Sequence, residues 1–378
     1  MRKKVLFLIP NLAHGGAERV LVNLVNNLDP AKFEVTVQTL FDVGVNRQYL
    51  KPRVRYLPGA KHQFRGNSHV IKLFSPQTLY RYFVKEDYDI VVSYLEGPTS
   101  RIVAGCTKPG VKKVGWLHIE LNTPALASRG FRDPKEAKKY YDRFDRLVAV
   151  AGSVKDCFLQ NLPVQTPVEI LYNTNETEQI QSLAQIPPED THFADRDTAV
   201  RLCSVAKLMK TKGFDRLLNA HKRLMDDGLL HKVYILGIGE EEKALRVKIR
   251  EYGVEDSFIL LGFRDNPYQY VSRCDLYVCS SRREGFSTAV TESLIVGTPV
   301  VSTDCSGARE LLGNHDEYGL VVENSEEGIY QGMKKMLSDP ALLAHYREKA
   351  KERGKSFSRE QTVKAVEDML DQIGRAHV

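Results

Sequence analysis

Two kinds of segment alternate along the chain. Short, continuously apolar runs rich in β-branched and aromatic residues occur at 5–9, 33–39, 89–93, 111–117, 147–150 and 168–171. Between them the apolar residues take helical spacing, as in Leu21, Leu24, Val25 and Leu28. Continuous apolarity predicts strands buried on both faces, and the interleaved helices predict crossover connections, hence parallel sheets of the doubly wound α/β kind. The pattern fades through Pro187-Pro188, Glu189-Asp190 and Asp195-Arg196-Asp197, so 182–198 reads as a linker. It resumes with runs at 200–205, 233–236, 258–261, 276–279, 300–302 and 320–322. Two α/β domains follow, 1–181 and 199–357, with an amphipathic helix at 359–373 near the end.

Composition narrows the class. A chain of 378 residues exceeds what one hydrophobic core usually supports, and 42% hydrophobic with 27% charged residues is the balance of a soluble globular enzyme. No apolar run reaches the 18 residues or more that would span a bilayer. Lys3-Lys4 followed by 5–9 imitates a secretory leader, yet Pro10, Asn11 and His14-Gly15-Gly16 interrupt it, so the run reads as a first buried strand. The six cysteines are scattered without a CxxC pair, which suits buried free thiols in a reducing cytoplasm.

The candidate chemistry clusters at predicted strand ends. Glu284-Gly285-Phe286-Ser287-Thr288 leads from one predicted strand into a helix that carries Glu292. Ser287 or Thr288 is a suitable N-cap, and a helix N-terminus of this kind offers an anion site. Upstream, Ser204 to Asp215 runs from a strand through Lys207 and Lys212 into a helix opened by Gly213. In the first domain, Gly15-Gly16 permits close backbone approach, while His118 and Asn173 stand at strand ends, where ligands of parallel sheets bind. The full GxGxxG fingerprint is missing, which argues against a dehydrogenase. The tripeptides Asp87-Tyr88-Asp89 and Asp195-Arg196-Asp197 precede a strand or lie in the linker; they read as turn residues, and no catalytic metal is expected.

Segments 204–215, 284–292 and 306–312, in this order, resemble the carboxyl-terminal half of the retaining GT-B glycosyltransferases of family 4, the bacterial polysaccharide-type group 1 transferases. Their signature is a Glu, seven residues, then a second Glu. The likeness covers nearly the whole chain, and Gly15-Gly16-Ala17-Glu18-Arg19 matches a loop of that family. It implies a GT-B fold: two Rossmann-like doubly wound domains facing across a cleft, the first binding acceptor and the second a nucleotide sugar, with 358–378 packing back on the first. It also implies that Lys207 and Lys212 meet the diphosphate charge, with the amides of Gly285, Phe286, Ser287 and Thr288. Glu284 would contact donor-sugar hydroxyls, Glu292 the ribose, and Gly262-Phe263-Arg264 the base; His118 would be an active-site residue near the donor sugar, Gly15 and Gly16 would bind the donor, and Asn173 would line the donor cleft or fix the crossover. The family usually has Arg where this chain has Lys207, so a bidentate fork gives way to a point charge. No cofactor is implied; the nucleotide sugar, UDP-linked by resemblance, is the substrate.

The acceptor is marked by charge. The whole chain carries 54 basic and 48 acidic residues, a net charge of +6, yet from 43 to 85 there are nine basic residues and no acidic one. Tyr49, Tyr56, Phe64, Phe74, Tyr80, Tyr82 and Phe83 are interleaved with them. Segment 47–85 therefore suits an anionic membrane surface, although a nucleic-acid patch or a merely solvated face has the same composition. Segment 301–310 resembles family members that build lipid-linked polysaccharide, which implies a polyprenyl-diphosphate-linked or oligosaccharide acceptor, no nucleic acid, and a cytoplasmic enzyme at the inner face of the membrane. A nucleotide-sugar epimerase of the same fold and a basic nucleic-acid-binding protein are the alternatives.

Overall fold

A computed structural model describes residues 2–13, 15–62, 67–188, 193 and 199–374, and it divides the chain into two compact units. Residues Met1–Asn175 with Arg359–Val378 form one, and Glu176–Ser358 form the other.

The first unit is built on seven strands: β1 (Lys3–Ile9), β2 (Phe33–Thr39), β3 (Arg55–Leu57), β4 (Ile90–Ser93), β5 (Lys112–Leu117), β6 (Arg146–Ala149) and β7 (Val168–Ile170). All pair in parallel, in the order β3-β2-β1-β4-β5-β6-β7. Val5 to Ile9 are fully buried, as expected for a central strand covered on both faces. The chain winds outward from β1 to β3 and then crosses to β4, so the carboxyl ends of β1 and β4 flank a topological switch point, where such sheets open a crevice. The terminal helix Arg359–Gly374 belongs to this unit. It buries Val366, Met369 and Leu370, Asp371 accepts from Lys3 Nζ at 2.8 Å, and Glu367 accepts from the Asp29 N–H at 2.7 Å.

The second unit repeats the plan with six parallel strands: β8 (Val200–Val205), β9 (His231–Leu236), β10 (Phe258–Gly262), β11 (Leu276–Cys279), β12 (Val300–Thr303) and β13 (Leu320–Val322). The order β10-β9-β8-β11-β12-β13 puts its switch point between β8 and β11. Helix Phe214–Asp226 places Phe214, Leu217, Leu218 and Leu224 in the core, each side chain contributing about 1.5–3 kcal/mol on burial.

Three features differ from the sequence expectation. Residues 176–181 fall in the second unit, and 182–185 are helical instead of linker: the helix Thr177–Gln185 has its last carbonyls bound by Asn266, Ser272 and Arg273, all of the second unit. Satisfying those orphan carbonyls fixes to which unit the helix belongs. The remaining linker positions 189–192 and 194–198, including Asp195-Arg196-Asp197, lie outside the described residues apart from the buried Phe193. The basic segment, for which no elements are predicted, contains β3 and the helices Asn67–Leu73 and Pro76–Phe83. Finally, all six cysteines are free, but Cys157 and Cys305 are only half-buried. Among the described residues no helix is long and apolar enough to cross a membrane.

Candidate functional site

In the second unit the switch point brings two strand ends together. Beyond β8 the chain passes Lys207 and makes the 3₁₀ turn Lys210–Lys212, which Gly213 ends in the left-handed region at φ 68°. A Cβ at position 213 would stand 2.1 Å from Ser280 O, so glycine is what lets this turn press against the end of β11. From that end come Ser280, Ser281 and Glu284. Lys212 Nζ lies 2.6 Å from Glu284 Oε1, and Ser281 Oγ donates to the same oxygen at 2.6 Å. Burial pulls the Lys212 ammonium toward deprotonation, but the Glu284 charge and hydrogen bond outweigh it and its pKa is raised. Lys212 is therefore a charged, oriented cation.

Ser287, rather than Thr288, caps the helix Thr288–Ile295, its hydroxyl accepting from the Val290 N–H at 3.4 Å. Gly285 and Phe286 are buried between Glu284 and this cap. Further along the helix, Glu292 Oε1 accepts from the Tyr268 hydroxyl at 3.1 Å. Gly262 closes β10 and its carbonyl accepts from the Gly237 N–H at 2.8 Å, after which Phe263 is 48% exposed and Arg264 Nε donates to Tyr270 at 3.1 Å. Lys207 is not drawn into the Lys212–Glu284 pair. It is exposed, and its side chain has no hydrogen bond or ion pair among the described residues.

In the first unit Gly15 is the extended N-cap of the helix Gly16–Val25. A Cβ on Gly15 would meet Glu18 Oε2 at 2.0 Å, so the bare backbone lets the Glu18 carboxyl fold over the helix start, where burial raises its pKa. His14 lies outside the described residues. His118 follows β5 and is buried against Tyr94, with ring centroids 4.8 Å apart. Its backbone N–H donates to Glu96 Oε2 at 3.0 Å, while Glu96 Oε1 takes Arg129 Nη2 at 2.7 Å. Burial pushes the imidazole pKa down to about 4, so the ring is neutral at physiological pH. His118 Nε2 and Asn173 Oδ1 are both buried without a partner among the described residues. Orphans of this kind at strand ends are natural points for a ligand or a water.

Residues 14–179 match the family Glycosyltransferase Family 4, and residues 189–353 match Glycosyl transferases group 1. The chain is also 31% identical, over 98% of its own length and 99% of the other, to the N-acetylgalactosamine-N,N'-diacetylbacillosaminyl-diphospho-undecaprenol 4-alpha-N-acetylgalactosaminyltransferase of Campylobacter jejuni. It belongs to the group 1/family 4 glycosyltransferases. Its fold is that of solved GT-B enzymes. The Anabaena protein Alr3699/HepE, in complex with UDP and glucose, superposes with a TM-score of 0.77 at 19% identity, covering 98% of this chain and 100% of that one. A glycosyltransferase from Rickettsia africae gives 0.78 at 19% identity, covering 98% of each.

Several residues around the glycosyltransferase's strand ends went unnoticed in sequence. Ser281 and Tyr268 hold the two carboxylates, Glu96 links His118 to Arg129, and Arg282 grips the lysine turn. Each follows a strand or opens a short helix, a position that marks a candidate without saying which way its side chain turns.

Proposed function

We propose that this glycosyltransferase moves a sugar, with retention of anomeric configuration, from a UDP-sugar to a polyprenyl-diphosphate-linked acceptor during cell-surface polysaccharide assembly. The observation that carries this reading is the half-buried Lys212–Glu284 pair at the switch point, beside a capped helix N-terminus. Departure of the donor's diphosphate leaves negative charge, and a preorganised ammonium with a helix dipole meets it without a metal. Lys207, exposed and without a side-chain partner among the described residues, supplies a second cation. Glu284 takes donor-sugar hydroxyls and Glu292 the ribose, with the base beside 262–264. In the first unit, neutral His118 and Asn173 offer their unpartnered polar atoms to a ligand at that sheet's strand ends. The activity of the Campylobacter relative on a diphospho-undecaprenol substrate supports the acceptor class, and UDP in the Anabaena structure supports the nucleotide.

The enzyme would act at the cytoplasmic face of an anionic membrane, and the pairing of its basic residues favours one part of the segment over another. Arg47 is paired with Asp42 and Arg55 with Glu86, while Lys51 and Arg53 donate to Asn26 O. These four have internal work. The exposed apolar residues Leu73 and Phe74, next to Lys72, and the exposed Tyr82, next to Arg81 and covered by Lys85, which donates to Arg81 O at 2.9 Å, fit a lipid surface better.

The test is an assay with a panel of UDP-sugars and lipid-diphosphate acceptors, with and without EDTA, followed by product NMR. Acceptor-dependent UDP release and an α-linked product from an α-linked donor support the proposal. Conversion of the UDP-sugar with no acceptor present would mean an epimerase, and loss of turnover in EDTA would overturn the metal-free mechanism.

A further inference from the structure

All three backbone carbonyls of the lysine turn are held by residues at the end of β11. Arg282 Nη1 donates to Lys210 O at 2.7 Å, the Arg282 backbone N–H donates to Thr211 O at 2.8 Å, and Ser280 Oγ donates to Lys212 O at 2.9 Å. The Arg282 guanidinium is itself gripped by Asp215, Nη1 to Oδ1 at 2.8 Å and Nη2 to Oδ2 at 2.7 Å. Asp215 sits in the first turn of the helix that follows Gly213. Asn324 Nδ2 closes the arrangement by donating to Arg282 O at 3.1 Å. The hydrogen bond from Arg282 holds the Asp215 carboxyl below its usual range, as a charged fork-to-fork pair should.

We propose that Arg282 is a positioning residue for Lys212: by spanning Asp215 and the Lys210 carbonyl it fixes the turn from which the Lys212 ammonium reaches the donor diphosphate. This inference rests on the reading of Lys212 given above. Magnitudes separate it from a purely structural role. The Arg282 and Asp215 side chains are 32% and 40% exposed, and an ion pair so open to water adds little to stability. Misplacing a catalytic charge by about 1 Å, by contrast, can lower turnover about a hundredfold. Arg282 should therefore matter far more to rate than to folding. Lysine cannot replace it, because an ammonium lacks the planar fork that reaches both partners.

The experiment is a double-mutant cycle on the full chain with Arg282→Ala and Lys212→Ala, and Arg282→Lys as the milder variant. Arg282→Ala should lower kcat by roughly ten- to a hundredfold, with donor KM and melting temperature nearly unchanged. In the Lys212→Ala background the same change should cost less than about threefold, because the charge it positions is gone. Full additivity of the two losses, or an Arg282→Ala effect confined to KM, overturns the inference while leaving Lys212 in its role. If Arg282→Ala does not fold, Arg282→Lys is read in the same cycle. Normal turnover in folded Lys212→Ala overturns the site reading itself.

Discussion

Lys212 Nζ and Glu284 Oε1 lie 2.6 Å apart, their side chains only 24% and 13% exposed, each delivered by one of two adjacent parallel strands. The pair couples the cation proposed for the diphosphate to the carboxylate proposed for the sugar. A half-buried pair of this kind is worth little as a fastener, since desolvation offsets much of the attraction. Its value is that Glu284 keeps the Lys212 ammonium charged and aimed before substrate arrives. Lys212→Ala should accordingly lower kcat by roughly a hundredfold or more, the scale of one lost preorganised electrostatic contact, with the fold retained. Steady-state kinetics with circular dichroism decides it; a folded variant with near-normal turnover would end the phosphate assignment.

The two glutamates should separate by ligand. Glu292 stands on the helix and accepts from the Tyr268 hydroxyl, whereas Glu284 sits with Lys212 and Ser281 at the helix entry. Glu292→Gln should weaken UDP and UDP-sugar alike, because the ribose is common to both. Glu284→Gln should mainly penalise the sugar-bearing ligand. Calorimetry with both ligands tests this, and equal losses across the four combinations would remove the distinction.

How far the sequence carried this picture depends on where the residues sit. β1, β4, β8, β9, β11 and β12 are apolar runs away from the sheet edges, and a strand covered on both faces has little choice of composition. β3, at the edge, reads Arg55-Tyr56-Leu57 and is not fully buried at any position, so its pattern is lost among the neighbouring cations. Helix Thr177–Gln185 buries only Ile180 and Ala184, too little for a visible stripe. Lys212 and Glu284 were legible because strand ends at a switch point are where ligands bind. Arg282 and Arg283 are neighbours with the same side chain, yet Arg282 is the one that closes on Asp215 and the lysine turn. Tertiary packing makes that choice, and no local pattern encodes it.

A buried histidine chain sets a pH limit on stability. His231 Nδ1 lies 2.7 Å from Leu229 O, His231 Nε2 lies 2.9 Å from His221 Nδ1, and His221 Nε2 lies 3.0 Å from Ser257 Oγ. A consistent proton assignment has both rings neutral, each donating from Nδ1. Burial, and then the neighbouring ring, lower His221 to about 3; burial also lowers His231. A depressed histidine pKa means the unfolded chain binds protons first, so stability is complete above the unfolded value near 6.5 and is lost as pH falls toward the folded value. From pH 6.5 to 5 the His221 share is about 2 kcal/mol, at about 1.4 kcal/mol per pH unit. Denaturant titrations at the two pH values should show a smaller drop for His221→Gln than for the wild-type chain; equal drops would contradict the assignment.

His118 titrates too low to govern rate near neutrality. With its pKa pushed down to about 4 by burial, it is neutral wherever the enzyme is expected to work, and Nε2 is available for a hydrogen bond. His118→Ala should lower kcat/KM while leaving any inflection between pH 6 and 7 in place. An inflection near 6.5 that disappears in the variant would show a charged His118 instead.

The membrane proposal turns on how Leu73 and Phe74 are presented. Arg132 Nε and Nη2 donate to the carbonyls of Lys72 at 2.8 Å and Leu73 at 3.3 Å, and the fully buried Arg101 donates to Phe74 O at 2.9 Å. Arg101 is anchored in turn by Glu136 at 2.6 Å. The backbone of 72–74 is held by these donors while Leu73 is 74% exposed and Phe74 49%, an exposed apolar pair on a fixed backbone; Tyr82, on the next helix, is 68% exposed. Lys72, Arg81 and Lys85 add about 1 kcal/mol each near an anionic bilayer, or about 3 kcal/mol together, enough for reversible attachment once the apolar pair enters the interface. Screening over a Debye length of about 10 Å at 0.1 M salt should weaken the electrostatic share as salt rises. In liposome co-sedimentation, Leu73→Asp with Phe74→Ser should abolish binding to anionic vesicles, whereas Lys51→Ser with Arg53→Ser, which removes donors to Asn26 O, should lower stability and leave binding intact. Retained binding in the first variant, or its loss in the second with the fold unchanged, would return the contact to the basic run before residue 60.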